Sequence, residues 1–98
     1  MYGTVATLRF KPGMDRRVKD VFSDLQAENI PGLVIEQVYR TDADARAYVL
    51  VVGFTSRDAY RANAASPEQH ARYLALRELL AEDPVWHDGE IVYSYPSA

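Results

Sequence analysis

Without cysteine, the chain can have no thiolate nucleophile, disulfide or iron–sulfur cluster, so any chemistry falls to His, Tyr, Asn, Trp and the acids. His70 and Tyr73 stand three residues apart in a helical stretch and so share one face. A histidine there has the chemistry of a base toward an acidic phenol or quinol, with a tyrosine to orient an oxygen atom. The bland alternative leaves His70 on an exposed first turn and Tyr73 in the core. Asn63 follows a short helix, where asparagine commonly serves as a left-handed C-terminal cap. In Trp86-His87-Asp88-Gly89 the neighbouring His and Asp invite a dyad reading, but adjacent side chains of an extended segment point to opposite faces. Asp88–Gly89 reads as a turn and Trp86 as a core or interface anchor. Two histidines without suggestive carboxylate spacing make no zinc site, so no metal is expected.

The elements that must position these residues follow from periodicity and punctuation. Tyr2 to Phe10 reads as a strand closed by Pro12–Gly13. Met14, Val18, Val21, Phe22 and Leu25 then recur with helical period and present one apolar face. Asn29-Ile30-Pro31-Gly32 stops that helix. Leu33 to Tyr39 and Ala47 to Phe54 form two strands across a polar connector. Ser56 caps a short helix. Ser66-Pro67-Glu68-Gln69 opens another with a capping box and proline in the first turn. Leu74, Leu76, Leu79 and Leu80 supply its apolar contacts, Asp83–Pro84 ends it, and Glu90 to Tyr95 is the last strand.

The order is β-α-β-β-α-β with the second helical region split. It predicts an α+β domain of ferredoxin-like topology, an antiparallel sheet with helices on one face, across residues 1–98 as a single domain. The third strand is apolar on both alternations, so its second face would be an exposed apolar patch in a monomer. A second copy of the sheet is the simplest cover, and a homodimer is expected.

Composition bounds the partners. The 98 residues are 48% hydrophobic and 26% charged, ordinary for a folded domain. Eleven basic and 14 acidic residues leave a net charge of −3, and the scattered arginines form no phosphate-binding surface, so no nucleic-acid partner is expected. The apolar runs are strand-length, far below a membrane span, and no signal peptide is visible. Cytoplasmic residence is the default.

Taken together, Tyr2 to Lys11 with Pro12–Gly13, Ile30-Pro31-Gly32, Phe54-Thr55-Ser56 and Ala65-Ser66-Pro67-Glu68-Gln69-His70 resemble the antibiotic biosynthesis monooxygenase family over nearly the whole chain. The resemblance implies a dimeric α/β barrel, two ferredoxin-like protomers packed sheet to sheet. It also implies a choice of activities: cofactor-free oxidation of quinols or polyketide aromatics with dioxygen, haem cleavage, or none. Haem-cleaving members carry an Asn on the first strand, a Trp on the short helix and a His on the next. Here Asn63 and Tyr73 take the Trp and His positions and the first strand has no Asn, which argues against haem. Cofactor-free members use an Asn and a Trp near this point to hold substrate and dioxygen; Asn63 matches the first loosely, and no Trp accompanies it.

The leading expectation is therefore a cofactor-independent monooxygenase acting on a small aromatic or quinol with dioxygen, through His70, Tyr73 and Asn63. The alternative is a dimeric ligand-binding or stress-associated module that keeps the fold without the chemistry. Tyr39, Tyr48, Tyr60, Tyr93 and Tyr95 would line an aromatic pocket or simply serve strand packing.

Overall fold

The computed structural model describes residues 1–26 and 29–96, with the side chains of 24–26 outside the described set. The core contact expected of Leu25 therefore lies outside the described residues. Four strands form one antiparallel sheet in the order β2-β3-β1-β4: β1 Tyr2–Arg9, β2 Leu33–Arg40, β3 Ala47–Phe54 and β4 Val85–Glu90. Three α-helices connect them: α1 Val18–Gln26, preceded by a 3-10 turn at Met14–Arg17, α2 Arg57–Ala64 and α3 Pro67–Arg77. This is the ferredoxin-like α+β arrangement that the pattern of elements predicts.

Alternation along β1 sorts the two faces. Thr4, Ala6, Leu8 and Phe10 point inward and are buried, while Val5 and Thr7 are exposed on the other side. Register carries the same division to β3, where Leu50 pairs with Ala6 and Tyr48 with Leu8. The core is completed by Val18 and Phe22 of α1, Leu76 of α3, and Leu79 and Leu80 just beyond it. Phe10 meets the Tyr48 ring edge-on with centroids 5.0 Å apart.

The helix starts follow the serine caps. Ser56 Oγ accepts from the Ala59 amide and Ser66 Oγ from the Gln69 amide, each at 3.1 Å. Only half of the expected capping box forms. Gln69 turns its side chain away, toward Asn63 and Arg72, and the Ser66 amide donates instead to the Asn63 carbonyl at 3.0 Å. Gly32 turns the chain into β2 at φ 80°, the left-handed region that an L side chain resists.

Several boundaries differ from the sequence reading. The last strand is Val85–Glu90, not Glu90 to Tyr95, and Asp88–Gly89 lies inside it rather than in a turn. Pairing with β1 explains the shift. Trp86 sits opposite Ala6 and Asp88 opposite Thr4, whereas Val92, Tyr93 and Tyr95 remain exposed beyond the sheet. Helix α3 ends at Arg77 rather than running to Asp83, and Leu74 faces solvent at 49% exposure.

Gly3 is a packing requirement of the central strand pair. It lies opposite Gly53, and a β-carbon there would run into the Val52 carbonyl. Backbone cannot yield as a flexible side chain does, so Gly3→Ala should destabilise the fold by about 3 kcal/mol, near the top of the range for overpacking. Urea unfolding of the variant would show it; an unchanged midpoint would refute it.

Candidate functional site

Between the inner sheet face and helices α1 to α3 lies a cavity of about 440 Å³. Leu50, Val52, Phe54, Phe22 and Leu76 make its apolar wall. Its polar lining falls into two groups, one wholly on the helices and one where α2 meets the sheet.

On the helical side the structure brings together Asn63, Gln69, His70, Arg72 and Tyr73. Asn63, expected just past its helix as a left-handed cap, instead lies inside α2, and no described non-glycine residue has positive φ. Its amide is held on both sides. Arg72 Nη2 donates to Asn63 Oδ1 at 3.0 Å, and Asn63 Nδ2 donates to Gln69 Oε1 at 3.3 Å. Arg72 Nε donates to the same Gln69 oxygen at 3.1 Å. One Asn63 amide hydrogen remains for a ligand. His70 is exposed as a residue yet lines the cavity, which puts it at the rim, while half-buried Tyr73 lies deeper. The Trp86 ring is tilted against Tyr73, centroids 6.5 Å apart, and lines the cavity too. Trp86 is therefore a wall of this space, and its outer part stays open to solvent.

Also in the lining, Tyr60, one turn before Asn63 on α2, donates from its hydroxyl to Asp88 Oδ1 at 2.9 Å. Edge-on contacts with Tyr2 and Phe54, at 5.2 and 5.6 Å, hold the Tyr60 ring. Burial, then the bond to Asp88 and its charge, push the Tyr60 hydroxyl up to about 12, so it stays a donor. Thr4 lies near enough to favour the phenolate slightly, but its Oγ1 reaches hydrogen-bond geometry with no group in the described structure. His87, next to Asp88, pairs with Val5 on the opposite sheet face, so no His–Asp dyad forms.

Glu36 enters the lining from β2. Burial holds its carboxyl above the usual range, and the lesser pull of Arg72 acts the other way. A carboxyl raised on folding binds more protons in the native state, so stability falls as pH rises from its ordinary value through its folded one. Glu36→Gln should therefore stabilise the protein at pH 7 and lose that advantage near pH 4. Thermal unfolding at both pH values checks this; equal effects at the two would contradict it.

Glu36, Thr4 and Arg72 are not singled out by the sequence, which offers Tyr60 only as one of several pocket or packing tyrosines and reads Asp88 as part of a turn. The signal for Thr4 was present as the polar member of an otherwise apolar inward series, Thr4, Ala6, Leu8 and Phe10. Asp88 became visible only once Val85–Glu90 was a strand. Of the tyrosines considered for a pocket, Tyr60 lines this one, Tyr48 is core, and Tyr39, Tyr93 and Tyr95 are exposed.

Among the described residues no group of three or more His, Asp or Glu side chains is placed to hold a metal ion. No helix among them is long and apolar enough to cross a membrane.

Fold and cavity together define a ferredoxin-like α+β domain with a candidate site between sheet and helices. The sequence pattern of the antibiotic biosynthesis monooxygenases matches residues 1–73, and the chain belongs to that family. No curated protein sequence matches it. Among solved structures, a Caulobacter crescentus protein assigned to the same monooxygenases is 27% identical, with a TM-score of 0.81 over 94% of this chain and 90% of that one. SnoaB, a cofactor-independent oxygenase from Streptomyces nogalater solved with an asparagine replaced by alanine, is 21% identical. Its TM-score is 0.82 over 98% of this chain and 97% of its own. A Deinococcus radiodurans protein of the same assignment is 15% identical, with a TM-score of 0.81 over 100% and 99%. The last two likenesses speak to fold alone.

Proposed function

We propose that the domain is a cofactor-independent monooxygenase that oxidises a small phenolic aromatic or quinol with dioxygen inside this cavity. The observation that carries the reading is a 440 Å³ apolar chamber whose lining includes His70, Tyr73 and Asn63. Family membership and the likeness to a cofactor-independent oxygenase fold support it.

In this mechanism His70 takes the phenolic proton at the rim, where solvent can relay it onward. The substrate anion, with charge spread onto carbon, passes one electron to dioxygen. The resulting radical pair joins to form a carbon–oxygen bond, and the peroxide takes the proton back. Loss of water from the hydroperoxide leaves a carbonyl, so a CH₂ group (or its enol form) and O₂ become C=O and H₂O. All four electrons come from the substrate. Tyr73 and the remaining amide hydrogen of Asn63 orient the oxygen atoms, and the apolar wall receives the ring.

Two copies would pack through the sheet face that helices leave bare, where Val5, Ile35 and Tyr39 are exposed and Val49 and Val51 partly so. The cytoplasm is the compartment this reading assumes.

Oxygen-electrode measurements on the purified chain with a quinol panel and a metal chelator test the proposal. The expected result is one O₂ consumed per carbonyl formed. No uptake across the panel would transfer the reading to a non-catalytic ligand-binding module of the same fold.

A further inference from the structure

The helical group leaves Thr4, Tyr60 and Asp88 of the same cavity lining without a role. Thr4 is 5% exposed and its Oγ1 lacks a partner among the described residues. A buried hydroxyl in that state is costly unless something entering the cavity satisfies it. Asp88 stands directly opposite Thr4 across the β1–β4 pair, on the same face. Side chains so paired have β-carbons about 4.5–5.5 Å apart, close enough for one ligand atom to meet both. Asp88 is exposed as a residue; Tyr60 donates to its Oδ1, and the carboxylate keeps acceptor capacity for a further donor.

We propose that Thr4 and Asp88, braced by Tyr60, form a second anchor that receives a neutral hydroxyl group on an aromatic ligand. The ligand hydroxyl donates to Asp88, and its oxygen accepts from Thr4 Oγ1. A hydroxyl satisfies both groups at once. A methyl ether has no hydrogen for the carboxylate, and a carboxylate ligand would meet like charge. The cavity thus selects aromatics carrying two hydroxyls, one for the helical group and one for this anchor. The inference rests on the reading of the cavity as a site for phenolic aromatics, but its test requires no turnover.

Under argon, 1,5-dihydroxynaphthalene and its monomethyl ether would be titrated into the protein by calorimetry. The wild type should prefer the diol by about 10- to 100-fold, the range for a hydrogen bond to a charged group. Asp88→Ala should abolish that preference. Thr4→Val should weaken diol binding about tenfold while leaving the unfolding midpoint of the free protein unchanged or raised, because the lost hydroxyl had no partner. A merely structural Thr4 would instead lower the midpoint. The valine variant is isosteric and carries the test should Asp88→Ala fail to fold. Equal binding of diol and ether by the wild type, or undiminished diol binding by Thr4→Val, would overturn the anchor. Oxygen uptake separates the two claims: a diol preference without uptake keeps the anchor and removes the monooxygenase reading, and uptake without preference does the reverse.

Discussion

Replacing His70 with alanine should slow oxygen uptake about 10²–10⁴-fold, the usual contribution of a positioned general base. The loss should fall on turnover and not on folding. His70 is exposed and makes no side-chain hydrogen bond to the described residues, and changes at such positions usually stay within about 0.5 kcal/mol. Its place at the rim adds a second test. Added imidazole can enter where the side chain was, so it should restore part of the rate in His70→Ala. Tyr73→Phe and Asn63→Ala should cost less, since each orients oxygen without moving the proton. Full activity in His70→Ala, on a substrate the wild type turns over, would remove the base from this position.

A charge on the bare sheet face should prevent the protein from dimerising. Val49 and Val51 point away from the core in the central strand β3, and Val5 and Ile35 flank them at 43% and 40% exposure. Beyond the sheet, Val92, Tyr93 and Tyr95 add further exposed apolar surface. A contiguous face of this kind is what a soluble monomer avoids. A standard interface buries about 1,600 Å² in total. In a two-fold dimer Val51→Glu enters twice, and each unpaired buried charge costs about 3–5 kcal/mol. Dimer affinity should therefore weaken by at least about 10⁴-fold. Sedimentation velocity at micromolar concentration decides the matter. A wild type that sediments as a monomer would end the dimer proposal, as would a Val51→Glu variant that stays paired.

Much of the fold was legible because its signals are local. Proline and glycine at 12–13 and 31–32 punctuate the chain, serines 56 and 66 cap helices wherever they stand, and an apolar period of two or 3.6 needs only neighbours. The doubly apolar β3 likewise pointed to an apolar sheet face on the side away from the helices. The helical side of the site was also within reach, because His70 and Tyr73 share a helix face by spacing alone.

What sequence could not decide were choices between competing partners. Glu90 to Tyr95 alternates better than Val85 to Glu90 and carries more strand-forming residues, yet the latter pairs with β1, because register in a sheet is settled across strands. That single shift moves Asp88 from a supposed turn to the cavity, opposite Thr4, and sends His87 to the other face. Asn63 had the look of a cap but is held inside α2, its amide engaged by Gln69 and Arg72. The same competition left the capping box half made. The residues themselves determined an α+β domain with a helix bearing His70 and Tyr73. Only the tertiary structure brought Thr4 and Asp88 from the two ends of the chain into the same cavity lining, since that meeting depends on strand register, which no local pattern encodes.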